Sequence, residues 1–156
     1  MTETKIYNAA TLPSTNEKRA ILEFLSTHLE QYGDKIEDIE KAFDYAMSSY
    51  ESAGGMVIDC MAQGERIGAA IINKTGMNGY IPENILVYIA THKDQRGKGV
   101  GKQIMNTIIK NTDGDIALHV EPENPALHLY KKLGFTNKYL EMRLTKKENA
   151  DGLYNA

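Results

Sequence analysis

Between residues 95 and 102 the chain reads Gln95-Arg96-Gly97-Lys98-Gly99-Val100-Gly101-Lys102. Three alternating glycines let the backbone turn tightly with no side chains in the way. Where such a turn opens a helix, the first backbone N–H groups lack partners within the helix and point outward. Together with the helix dipole and the charges of Arg96, Lys98 and Lys102 they form an anion site, and a phosphate or pyrophosphate is the expected occupant. Two familiar phosphate loops fail on spacing. In Gly-x-x-x-x-Gly-Lys-[Ser/Thr], an ending on Gly101-Lys102 puts Arg96 where the first glycine belongs and Gln103 where the hydroxyl belongs. In Gly-x-Gly-x-x-Gly, a start at Gly97 and Gly99 puts the third glycine on Lys102.

The flanking segments supply the elements that would hold this turn. Upstream, Ile85–Thr91 is nearly all apolar or β-branched, as in a strand buried on both faces. Downstream, Val100, Ile104, Met105, Ile108 and Ile109 stripe a helix that Gly114 stops. Ile116–Val120 reads as a second buried strand. Asn124 and Pro125 suit a helix start, and Ala126, Leu129, Tyr130 and Leu133 carry that helix to Gly134. Tyr139–Leu144 reads as a last strand.

Toward the N-terminus, Lys5–Ala9 suits a first strand, and Ser14 or Thr15 can cap a helix striped by Ile21, Phe24, Leu25, His28 and Leu29. After Gly33 and Asp34 a second helix carries Ile36, Ile39, Phe43, Ala46, Met47 and Tyr50, and Gly54 and Gly55 end it. Met56–Ala62 and Arg66–Asn73 form a hairpin around Gln63-Gly64-Glu65. The order β-α-α-β-β-β-α-β-α-β calls for a mixed sheet with helices packed on it, an α/β (α+β mixed) fold. Residues 1–147 form one domain and 148–156 a polar tail.

Composition narrows the function. The 156 residues hold 18 Lys and Arg against 21 Asp and Glu, which argues against a dedicated nucleic-acid binder. The single cysteine, Cys60, excludes an internal disulfide and a cysteine-based zinc site, and reads as buried and inert in a reduced, cytoplasmic protein. No metal-ligand constellation, secretory signal or membrane span is visible. The charge is uneven: residues 1–83 carry 13 acidic and 7 basic side chains, and residues 84–156 carry 8 and 11.

The glycine segment resembles the [Gln/Arg]-x-x-Gly-x-[Gly/Ala] signature of the GCN5-related N-acetyltransferases. A second segment, Asn124-Pro125-Ala126-Leu127-His128-Leu129-Tyr130-Lys131-Lys132-Leu133-Gly134-Phe135, is similar to that family's Asn…Ala…Leu-Tyr-x-x-x-Gly-Phe stretch. One helix and one strand separate the two segments, as the family requires. The resemblance covers roughly residues 55–145.

It implies acetyl-CoA as acetyl donor, with the pyrophosphate on the amides of residues 97–102 and Asn124 as a further contact. The pantetheine arm would pair with the backbone of Ile89 and Thr91, and the strand after it would splay away to open a V-shaped cleft. Tyr130 matches the tyrosine that protonates the departing thiolate. Its phenol carries a proton at neutral pH. The acceptor amine must lose a proton, and Glu83, 13 residues before Arg96, matches the position of the glutamate base of histone-acetylating members; His119 and Glu121 are alternatives. His92 and His128 are expected on the surface. The acceptor would be a small-molecule or peptide amine, lying over the first two helices and the Lys74–Pro82 loop beside Glu37, Asp38, Glu40, Asp44, Tyr45, Tyr50 and Tyr80; the solvated face of a helix is the alternative reading of Glu37, Asp38 and Glu40. A homodimer is expected by analogy with relatives. A non-catalytic acyl-CoA sensor and an unrelated phosphate-binding enzyme are the competing readings.

Overall fold

A computed structural model describes residues 2–146. Strand β1 (Thr2–Tyr7) leads to helices α1 (Thr15–His28) and α2 (Ile36–Met47), joined through a 3-10 turn at Glu30–Tyr32. Strands β2 (Gly55–Ala62), β3 (Glu65–Lys74) and β4 (Asn84–Thr91) follow. Helix α3 (Val100–Asn111), strand β5 (Ile116–Leu118) and helix α4 (Ala126–Lys132) complete the fold. The sheet order is β1-β2-β3-β4-β5. The first four strands are antiparallel and β5 joins β4 in parallel.

Each helix starts and packs for a local reason. Ser14 caps α1 in a reciprocal capping box: its hydroxyl accepts the Glu17 N–H and the Glu17 carboxylate accepts the Ser14 N–H, a device worth about 1 kcal/mol. Ile21, Leu25, Ile39 and Phe43 of α1 and α2 bury against Val57, Ala69 and Ile71 on one face of the sheet. Ile104, Met105 and Ile108 of α3 and Tyr130 of α4 bury against Ile58, Ala70 and Ile72 on the other. The alternation within β2 and β3 thus feeds two separate cores, one per face.

The structure departs from the sequence expectations in several elements. β1 begins at Thr2 rather than Lys5, because its ladder with β2 runs from Thr2 opposite Ala62 to Tyr7 opposite Val57 and recruits polar residues. Only Gln63 and Gly64 make the hairpin turn, both at positive φ (52° and 80°), and Glu65 belongs to β3. α2 stops at Met47, which leaves Tyr50 outside it and 98% exposed. The last expected strand, Tyr139–Leu144, is absent among the described residues: Leu140 and Met142 are exposed and no strand lies beside them to complete a ladder. The 148–156 tail lies outside the described residues.

Candidate active site

The site is built where two parallel strands part. β4 and β5 pair only at Asn84–Ile116, Ile85–Ala117 and Leu86–Leu118. Between Leu86 and Tyr88 the β3–β4 register shifts, so Val87 is an extra residue in β4. Such a bulge bends a strand and sharpens its twist. It sits directly after the last β4–β5 pair. β4 then continues to Thr91, while β5 ends at Leu118 rather than at Val120 as the sequence suggested. Beyond Leu86 no strand covers that edge of β4 among the described residues. Backbone N–H and C=O groups on such an edge require water or a ligand.

A cleft of about 690 Å³ occupies the gap. Ile89, Ala90 and Thr91 form one wall. Gln95, Arg96, Gly97, Gly99, Val100, Gly101 and Lys102 form the base. Asn124, Pro125, Ala126, Leu129, Tyr130 and Lys132 form the far wall, and the segment from His28 to Tyr32 lines the remaining side. The glycines of the turn meet different needs. Gly97 and Gly99 have φ of +77° and +87°, and Gly99 is the N-cap of α3. A Cβ on Gly101 would lie 3.1 Å from Leu129 Cδ2, so this residue lets α3 approach α4. The first N–H groups of α3 therefore open onto the cleft, with Lys102 beside them.

Tyr130 sits on α4, and its ring packs 5.7 Å from Phe135. The residue is 6% exposed. Its hydroxyl makes no hydrogen bond to the described residues, yet no sealed side-chain oxygen is left without a partner among them. The hydroxyl therefore keeps some contact with solvent, and Tyr130 is one of the residues that line the cleft. Burial pushes its pKa up to about 12, which keeps the phenol protonated well above neutral pH. Asn124 Oδ1 accepts the Ala126 N–H, so its oxygen is engaged in starting α4.

Not every expected residue arrives. Lys98 is exposed and does not line the cleft. Glu83 lies at the closed end of the strand pair, packed over Gly114. Its carboxylate accepts the N–H groups of Asp115 (2.9 Å) and Gly79 (3.4 Å). These bonds, Asp115 first, hold it below the usual carboxylate range. His119 and Glu121 are exposed and also lie off the cleft. The acceptor patch expected on α2 is largely neutralised: Lys18 binds both Glu40 (3.0 Å) and Asp44 (2.8 Å), and Lys41 binds Asp38 (3.3 Å). Tyr45 donates to the Lys74 carbonyl, and Tyr80 is exposed.

The cleft residues from His28 to Tyr32 belonged to no functional motif in the sequence. Glu30 binds Arg96 at 2.7 Å, and Arg96 also donates to the His28 carbonyl at 2.9 Å. The His28 and His92 rings stack with centroids 4.3 Å apart, and burial pushes the His28 pKa down. Only the chain's return past the glycine segment brings these residues there.

No curated protein sequence matches the chain. Solved structures match its fold at low identity. A ribosomal-protein-alanine N-acetyltransferase from Brucella melitensis biovar Abortus 2308 is 13% identical, with a TM-score of 0.63 over 93% of this chain and 99% of that one. The enzyme AAC(6')-Iy, solved with the bisubstrate analogue CoA-S-monomethyl-acetylneamine, is 16% identical, with a TM-score of 0.63 over 94% and 99%. A transcriptional regulator from Bacillus halodurans C-125 is 16% identical, with a TM-score of 0.64 over 92% and 99%. The model of the acetyltransferase (GNAT) domain matches residues 53–137, the span that holds the parted strands, the glycine turn and Tyr130. This chain belongs to the GNAT acetyltransferase family.

Proposed function

We propose that this protein transfers an acetyl group from acetyl-CoA to an amine by direct attack, with Tyr130 as the general acid. The observation that carries the reading is the conjunction at one cleft of an uncovered β4 edge, a helix start whose N–H groups have no side-chain cap and a protonated, otherwise unbonded phenol. The parts fit the donor in order. The free N–H groups at the start of α3 take the pyrophosphate, with Lys102 adding charge. The uncovered edge at Ile89 and Thr91 takes the amide groups of the pantetheine arm as a further strand would.

In the transfer, the amine nitrogen bonds to the thioester carbon and the C–S bond breaks. The electron pair leaves on sulfur, which takes the proton of the Tyr130 phenol. The amine gives one proton to solvent before attack to become the neutral nucleophile and a second after the N–C bond forms, and Tyr130 regains its proton from solvent. Backbone N–H groups of β4 near Ile89 face the developing oxyanion. Glu83 has no part in this, being bonded at the closed end of the strands. No acyl-enzyme is required. An acyl-CoA sensor would use the same walls but has no need of an unbonded phenol on the cleft.

The test is thiol release from acetyl-CoA across a panel of small amines and peptides. Acetyl transfer to at least one acceptor supports the reading. Tight CoA binding with no turnover on any acceptor would replace the enzyme with a sensor.

A further inference from the structure

The sequence casts Arg96 as a phosphate ligand, but its guanidinium points elsewhere. One nitrogen meets the Glu30 carboxylate at 2.7 Å and another donates to the His28 carbonyl at 2.9 Å. The His28 carbonyl is the last of α1 and Glu30 opens the 3-10 turn after it, so both partners sit where α1 hands over to that turn. On the opposite wall the same turn is tied a second time, where the Tyr32 hydroxyl donates to the Glu123 carbonyl at 3.4 Å. The 3-10 turn at Glu30–Tyr32 thus spans from the glycine segment to the loop before α4, the two loops that flank the parted strands. Glu30 holds φ at +53°, a conformation that a non-glycine residue keeps only where its surroundings impose it.

We infer that Arg96 is a positioning residue: by holding Glu30 and the His28 carbonyl it draws residues 29–32 across the cleft as a strap, and the strap sets the acceptor's approach. This rests on the reading that the cleft holds acetyl-CoA. Phosphate binding is then left to the backbone N–H groups and Lys102. A folded glycine segment becomes a condition for an ordered acceptor side, which couples the two substrate sites through one ion pair.

A charge swap tests it, comparing wild type with Arg96→Glu, Glu30→Arg and the double variant. Amide hydrogen exchange in residues 29–33 is read on the ligand-free protein, alongside the acceptor KM and the Kd for CoA. Arg96→Glu is expected to speed exchange in 29–33 and raise the acceptor KM about five- to tenfold, as loss of one half-exposed ion pair with added repulsion allows. Its Kd for CoA should move much less, and the double variant should recover most of the loss in both exchange and acceptor KM. A Kd for CoA that rises at least as much as the acceptor KM, without rescue by the swap, would make Arg96 a phosphate ligand and overturn the inference. Unchanged exchange in 29–33 for Arg96→Glu would overturn it as well. If wild type fails to bind CoA, the reading of the cleft falls, while the exchange comparison still decides whether Arg96 holds the strap.

Discussion

The two ends of the β4–β5 pair are built from the same strands and behave in opposite ways. At the closed end, three residue pairs are zipped, and the polar groups around them find partners within the chain. Asn84, 2% exposed, donates its side-chain amide to the carbonyls of Asp113 (2.7 Å) and Asp115 (3.2 Å). Glu83 accepts the Asp115 N–H. At the open end, the bulge at Val87 turns β4 away, and the edge from Val87 to Thr91 has no strand beside it among the described residues. Polar groups satisfied internally make a hinge point rigid, and polar groups left on an edge make a binding surface. One strand pair therefore serves as clasp and as mouth.

Substitutions at the two ends should separate those roles. The largest effect is expected at the open end. Tyr130→Phe should lower kcat by about 10²–10⁴-fold, the usual worth of a positioned acid, with little change in the Kd for CoA; thiol-release kinetics and calorimetry read the two quantities. Gly99→Val should weaken CoA binding about 10- to 100-fold, since a β-branched residue at φ +87° costs roughly 1–3 kcal/mol. Calorimetric titration with CoA measures it, and normal affinity would break the assignment of the helix start as the phosphate site.

At the closed end the effects should fall on stability. Asn84→Ala removes a buried donor from two carbonyls and should destabilise by about 1–3 kcal/mol in urea unfolding, with kcat per folded molecule kept within about twofold. Glu83→Gln should show the smallest effect, with activity again within about twofold. A loss above about tenfold would return Glu83 to the chemistry as its base. Because the folded protein holds this carboxyl below its ordinary pKa, its contribution to stability is present above the unfolded value and is lost as pH falls through the folded one. The wild type's advantage over Glu83→Gln in urea midpoint should therefore be seen at neutral pH and shrink as pH falls below the ordinary carboxylate range.

How far the chain could be read from its letters differed by element. The helices were legible because a 3.6-residue stripe and a cap are local: Ser14 starts α1, and Val100, Ile104, Met105 and Ile108 all bury. The glycine segment was legible for the same reason, since positive φ at Gly97 and Gly99 is a demand on those residues alone. Strand limits were less so. β1 gains Thr2 and Thr4 from its partner's register, and Tyr139–Leu144 has the alternation of a strand without a neighbour to pair with. Glu83 shows the limit for sites. Its offset from Arg96 suits a base, but offset along a chain says nothing of the Asp115 and Gly79 N–H groups that occupy its carboxylate.

By itself the sequence determined what needs no distant partner: the glycine turn that opens α3, the place of Tyr130 on α4 and the apolar stripes of the helices that carry them. The tertiary structure alone decided where β4 and β5 part, which carboxylates are free, and that Arg96 faces Glu30. Those outcomes depend on which groups from separate elements of the chain meet. Pairing, burial and ion-pair partners are properties of that meeting and leave no local pattern.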